Sequence, residues 1–265
     1  MKNSIIALAL LFIVSACKEK TETVKTEDYK TKTLDVTTSI YPENVTKVFN
    51  AHGSIEQWNE FKNLEFTIAK ETGDEKTITD LKTRRSFIET NTFALGFDGE
   101  NVWLDKKGEN EYNGNPNFYY NLMFYFYAMP FVLGDDGITY ANTNALTLEG
   151  IEYPGIKISY GAEIGSSPED EYILYYNPET FKMEWLAYTV TYFSKEKSKK
   201  WSFIKYSNWQ TVSGIQLPET LTWYNTEDSL PTEPRNNVQF KAVMLSKNMA
   251  ADSVFAKPET GEIVE

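Results

Sequence analysis

Apolar residues recur along this chain first at helical and then at strand spacing. Val45, Val48, Phe49 and His52 fall at i, i+3, i+4 and i+7, one face of an amphipathic helix, with Pro42 suited to its first position and Gly53 to its stop. Ser54 and Gln57 form a capping box ahead of Trp58 and Phe61, which predicts a second short helix. From Leu64 the period changes to two. Leu64, Phe66 and Ile68 alternate with Glu65 and Thr67, a polar turn spans 71–75, and one long strand is predicted over 77–90. Phe93, Leu95 and Phe97 then reach Asp98-Gly99, a hairpin signal, before Val102-Trp103-Leu104. Such neighbours pair antiparallel.

The stretch 117–133 (NFYYNLMFYFYAMPFVL) is apolar on every side. Pro116 fits the start of a helix there, Pro130 bends or ends it and Gly134 stops it. A helix apolar all round must be enclosed. Strands resume at Leu146/Leu148, Ile156/Ile158/Tyr160 and Tyr172/Leu174/Tyr176. They continue over 183–193 and 201–209, then at Leu221/Trp223 and Val238/Phe240/Ala242/Met244, and 230–236 (LPTEPRN) reads as a proline-bearing loop.

Two of these strands carry apolar residues on both faces. Trp185, Ala187 and Phe193 oppose Leu186, Tyr188, Val190 and Tyr192; in the next strand Trp201, Phe203 and Trp209 oppose Ile204 and Tyr206. Both faces must be covered, or one must line a cavity. The expected fold class is mainly antiparallel β with a few helices (α+β), a strongly curved sheet or half-open β-barrel enclosing, or covered by, the apolar helix. No internal repeat or linker is visible, so 39–265 is expected to be a single β-rich domain.

Composition narrows the chemistry. A formal net charge of -12 makes nucleic acid an improbable partner, because phosphate binding needs a basic face. Glu169-Asp170-Glu171 and Asp135-Asp136-Gly137 lack the spaced ligands of an EF-hand loop. His52 is the single histidine, which rules out a multi-histidine metal site. At a helix C-terminus it is expected to cap carbonyls and pack on the helix, where the dipole favours the charged imidazolium. No Gly-x-Ser-x-Gly elbow, P-loop or HExxH is present, so no catalytic residue, metal or cofactor is assigned and the chain is expected not to be an enzyme. A pair of carboxylates stays open, since sequence does not show separations.

At the N-terminus, Lys2 and the apolar run 5–14 ending in Ser15-Ala16 have the form of a secretory leader, too short to span a bilayer. Val14-Ser15-Ala16-Cys17 resembles the bacterial lipobox. The resemblance implies cleavage after residue 16 and a lipidated Cys17, the only cysteine, which leaves no thiol for a disulfide or a nucleophile. Lys18 stands where an aspartate would favour inner-membrane retention, so a lipid anchor in the outer membrane is expected, with the periplasmic or surface face open. The polar, mixed-charge stretch 17–38 reads as a tether; about 20 flexible residues reach on the order of 25 Å.

Phe97-Asp98-Gly99 with Val102-Trp103, the late apolar helix and the closing Val254-Phe255-Ala256-Lys257-Pro258 together resemble the LolA/LolB-like superfamily of periplasmic lipoprotein carriers and lipid-binding lipoproteins. His52-Gly53 followed by Trp58 is similar to a group of Gram-negative lipoproteins. The resemblance implies an incomplete barrel around an apolar cavity. Arg84 and Arg85 are candidates for the family's cavity arginine by strand position, and Cys17 departs from a freely shuttling carrier. From the residues themselves, Phe118, Tyr119, Met123, Phe124, Tyr127 and Phe131 are the candidate wall or lid for a lipid or acylated-protein ligand, because aromatics and Met offer large, adaptable apolar area; the alternative is that they are core. A second function class is a structural or glycan-binding surface lipoprotein using exposed Trp185, Trp201, Trp209 and Trp223.

Overall fold

The structure is a computed structural model that describes residues 39–109, 111–160 and 169–264. The predicted leader over 1–16, Cys17 and the tether to residue 38 lie outside the described residues.

Helix α1 (Glu43–Ala51) buries Val45, Val48 and Phe49, and Pro42, predicted as its first residue, is its N-cap instead. Helix α2 (Ile55–Glu60) is capped by Ser54, whose hydroxyl accepts the Gln57 N–H at 3.2 Å. The other half of the capping box does not form, because the Ser54 N–H donates to Phe49 O at 2.9 Å, while Gln57 Nε2 donates to Ser213 O at 3.0 Å. Between the helices Gly53 has φ +108°, and a Cβ there would lie 2.4 Å from the carbonyl oxygen of Gly214. Only glycine lets this turn approach that hairpin so closely.

Among the described residues thirteen strands form one antiparallel sheet. The first group is β1 (Asn63–Ile68), β2 (Glu75–Asp80), β3 (Ser86–Glu89), β4 (Phe93–Phe97) and β5 (Val102–Lys106). After the helical segment come β6 (Ile138–Leu148), β7 (Ile151–Tyr160), β8 (Glu171–Tyr176), β9 (Met183–Tyr188), β10 (Ser202–Val212), β11 (Ile215–Glu227), β12 (Leu230–Ser246) and β13 (Glu262–Ile263). The order β13-β5-β4-β3-β2-β1-β12-β11-β10-β9-β8-β7-β6 describes two meanders joined where β1 pairs with β12. The sheet is open, with β13 and β6 at its edges. It bends far enough for Phe66 on β1, Ile158 on β7, Leu186 on β9 and Phe240 on β12 to share one core with Tyr127 of the central helical segment. This is the expected curved antiparallel sheet covered by apolar helix.

Several boundaries differ from the pattern. The strand predicted over 77–90 is two strands, because the Asp80 carboxylate accepts the N–H groups of Lys82 and Thr83 at 2.8 and 3.1 Å and Arg84 turns through φ +62°, an Asx-type turn. The strand predicted over 183–193 ends at Tyr188, and Val190 and Phe193 are exposed. The predicted loop 230–236 is instead the start of β12. Pro231 and Pro234 pair irregularly with β11, while β1 joins β12 only from Phe240 onward, so the prolines sit on a segment with an open side where a missing N–H is tolerated.

The two-faced strands are covered on both sides. Leu186 and Tyr188 of β9 enter the main core, whereas Trp185 and Ala187 join Ile173, Tyr175 and Phe203 in a second cluster on the opposite face. A register shift opposite Tyr175/Tyr176 puts Met183 back into the main core. Trp209 lies on the Tyr206 side, against expectation: its ring is 4.6 Å from His52 and stacks on Tyr206 at 6.2 Å, next to Asn208 at φ +54°. The buried residues of these clusters, and of a third around Ile88, Leu95 and Val102, all fall between Val45 and Phe240, within the compact unit formed by residues 39–265.

Candidate functional site

The apolar segment is not one helix. Asn115 caps α3 (Pro116–Tyr119) by accepting the Phe118 N–H at 3.0 Å, with Pro116 in the first turn as expected. The chain then turns at Tyr120-Asn121, continues as α4 (Leu122–Tyr127), and ends in a 3-10 turn over Phe131–Gly134 after Pro130. Tyr206 Oη donates to Phe126 O at 2.7 Å and Tyr41 Oη to Gly134 O at 2.9 Å, fixing the C-terminal end of α4 and the segment's exit against other elements.

Of the six side chains expected to form a ligand wall, Met123, Phe124, Tyr127 and Phe131 are buried in the main core. Phe131 stacks on Trp58 at 4.6 Å and Tyr127 on Phe240 at 4.1 Å. Tyr119 packs at the core edge, where its hydroxyl donates to Glu75 Oε1 at 2.8 Å. Phe118 alone of the six lines open space. Beneath α1 and the segment's exit, the gap in the core beside Val45, Leu133 and Ile158 measures ≈ 10 Å³, at the lower limit for one water.

A cleft of ≈ 250 Å³ lies on the other side of α3 and α4. Phe118, Leu122, Phe126 and Met129 supply an apolar wall. Tyr160 at the end of β7 and Tyr172 on β8 face them, ring centroids 5.7 Å apart and edge-on. Asp135, Asp136 and Asp170 stand with Tyr125 and Tyr192 around the polar side. Burial pushes the Tyr160 and Tyr172 phenols up, reinforced by the neighbouring carboxylates and phenols, so both stay neutral and can donate or accept hydrogen bonds. Burial also raises Asp170, although its carboxylate accepts the Thr191 N–H at 2.7 Å and the Thr191 hydroxyl at 2.8 Å. Asp135 is raised by burial too, in spite of its ion pair with Arg84.

Residues 111–231 match a family of unknown function, DUF6503. That span contains every side chain lining the cleft. No curated protein sequence matches the chain. Among solved structures, the chain is similar in backbone course to a DUF1329 family protein from Desulfovibrio piger, at 10% identity and TM-score 0.47 over 81% of this chain and 98% of that one. It is also similar to a LolA superfamily protein from Nitrosomonas europaea, at 10% identity and TM-score 0.45 over 77% and 96% of the two chains.

The remaining candidates have structural partners. Arg84 and Arg85 sit in and just after the β2–β3 turn, not in a cavity: Arg84 pairs with Asp135, and Arg85 with Asp80 at 3.1 Å and Asp252 at 2.8 Å. Trp185 and Trp223 are buried and Trp201 and Trp209 half-buried, so these four form no exposed groove for a sugar. His52 is fully buried, and burial lowers it to about 4, which keeps the ring neutral where an imidazolium was expected. Among the described residues no three His, Cys, Asp or Glu side chains are gathered as a metal site, and no helix is long and apolar enough to cross a membrane.

The cleft residues other than Phe118 were missed because a segment apolar on all sides gives no preferred face. A usable signal was the tyrosines. Tyr120, Tyr125, Tyr160, Tyr172 and Tyr192 all line the cleft, and a phenol carries an apolar ring with a tip that favours water or a hydrogen-bond partner.

Proposed function

We propose that this protein is an extracytoplasmic lipoprotein, anchored in the outer membrane through Cys17, that holds a hydrophobic ligand in the cleft beside α3 and α4 without covalent chemistry. The ligand is a lipid or the acylated part of a protein. The observation that carries this reading is the cleft of ≈ 250 Å³, with Leu122, Phe126 and Met129 on one side and phenols and carboxylates on the other. That volume falls just below the ~300–1,000 Å³ of small-molecule sites, which favours one chain or ring system over several. The aspartates disfavour an anionic head, since like charges repel in a partly desolvated site. A hydroxyl- or amine-bearing head suits the phenols and carboxylates better.

The test is to purify residues 39–265 from the native host, extract them with organic solvent and analyse the extract by mass spectrometry. A stoichiometric amphiphile is expected. It should fall about tenfold in Leu122→Trp, which fills the apolar wall with a larger ring. Recovery of no ligand, or equal recovery from the variant, would overturn cleft binding. The anchor is tested separately by metabolic labelling with a fatty acid, expected in the parent and lost in Cys17→Ser.

A further inference from the structure

The loop between β9 and β10 combines exposed apolar side chains with a run of lysines. Phe193 at its tip is 68% exposed, and Val190 at its base is 42% exposed. Directly after them Lys195, Lys197, Lys199 and Lys200, all exposed, stand against the single acid Glu196, on a chain whose net charge is -12. The tip is held out by its base. Thr191 is fixed through its N–H and hydroxyl to Asp170, and Lys195 N–H closes a turn on Thr191 O at 2.7 Å. Phe193 touches Tyr192 and Phe118 at ring distances of 5.1 and 5.2 Å, and both of those side chains line the cleft. An aromatic tip flanked by lysines, at the mouth of an apolar cleft, is the composition of an interfacial membrane contact.

We infer that residues 190–200 dock on an anionic lipid surface, with Phe193 entering the headgroup region beside Val190 and Tyr192 while the four lysines meet lipid phosphates. Among the described residues the acids nearby are Glu196, Glu169, whose carboxylate lies 3.7 Å from Lys197 Nζ, and Asp170, engaged by Thr191. Lys195 Nζ also lies over the Tyr192 ring at 4.3 Å, so insertion of the tip brings this cation to the headgroups with it. The acidity of the remaining surface does not prevent contact, because charges beyond a Debye length of about 8 Å are screened at physiological ionic strength. Docked in this way, the cleft mouth faces the lipid, and a ligand passes between membrane and cleft without crossing water. The inference goes beyond ligand binding and does not depend on it.

The test uses residues 39–265, which carry the whole core and no anchor, with vesicles of phosphatidylcholine alone or mixed with phosphatidylglycerol. Co-sedimentation is expected to be at least about tenfold stronger on the anionic vesicles and to weaken with salt, since each lysine near an anionic surface contributes about fivefold. Phe193→Ser and the double variant Lys199→Glu/Lys200→Glu are each expected to lose on the order of tenfold in binding, with unchanged circular dichroism. Met249→Ser, at an apolar site 61% exposed elsewhere, is expected to bind as the parent does. Equal binding to both vesicle types, full binding by either loop variant, or an equal loss in Met249→Ser would each overturn the inference.

Discussion

The His52 ring bridges two parts of the chain that are far apart in sequence: Nδ1 donates to Val48 O at 2.7 Å, and Nε2 accepts the Met183 N–H at 3.3 Å across a separation of 131 residues. This assignment uses both nitrogens of one neutral tautomer. Burial, with Lys182 adding to it, lowers the ring to about 4 from the ordinary 6.5. The unfolded chain therefore binds a proton that the folded chain refuses between those values. Stability from this group is complete above about pH 6.5 and is lost as pH falls towards about 4, on the order of 3 kcal/mol in total. Urea denaturation at about pH 7.5 and about pH 5 measures it, and His52→Gln is expected to flatten the difference while lowering stability at both.

Trp103 depends on an absent side chain. Its indole donates to Phe255 O at 2.9 Å, and the six-membered ring lies where a Cβ on Gly96 would come within 2.4 Å. Gly96→Ala is expected to cost about 1–3 kcal/mol, as overpacking does, and Trp103→Phe about 1–3 kcal/mol by leaving a buried carbonyl unpaired. Thermal melts of both variants would show it.

Two tyrosines of the same segment should respond oppositely to loss of the hydroxyl. Tyr119 Oη donates to the fully buried Glu75, which also pairs with Lys70 at 2.6 Å; Tyr119→Phe is expected to destabilise by about 1–3 kcal/mol. The Tyr127 hydroxyl is buried with no hydrogen-bond partner among the described residues. Tyr127→Phe is expected to be neutral or to stabilise by about 1 kcal/mol. Chemical denaturation of the pair distinguishes a structural hydroxyl from a stranded one.

Asp170 holds the base of the β9–β10 loop through two bonds to Thr191. Asp170→Ala is expected to leave the global melting temperature within about 2 °C while speeding amide exchange at Thr191 and Lys195, read by hydrogen-exchange mass spectrometry. Unchanged exchange would mean that the loop is held by its ring contacts.

Periodicity located nearly every element, because the core-facing positions of α1, β1, β4 and β8 are read directly from apolar spacing. It failed where a polar side chain redirected the backbone. Asp80 broke a strand that alternation would continue, and the prolines of β12 read as loop because their open-sided pairing is a tertiary fact. The two sequence signatures around Trp103 and Phe255 were visible separately, yet their hydrogen bond across the sheet was not. The cleft was the least legible part: Leu122 and Met123 are equally apolar, and only the packing of α4 decides which one faces it.

The junction of β1 with β12 pairs Leu64 with Leu245, while nearly every other strand pairs with its neighbour in sequence. During synthesis the first meander is complete long before its last partner leaves the ribosome, so β1 waits with an unsatisfied edge, a template for pairing with another chain. A chain cut anywhere before Phe240 would keep that edge permanently. Protection of that edge therefore comes only with the synthesis of β12, and a chain truncated in the β11–β12 turn is expected to self-associate.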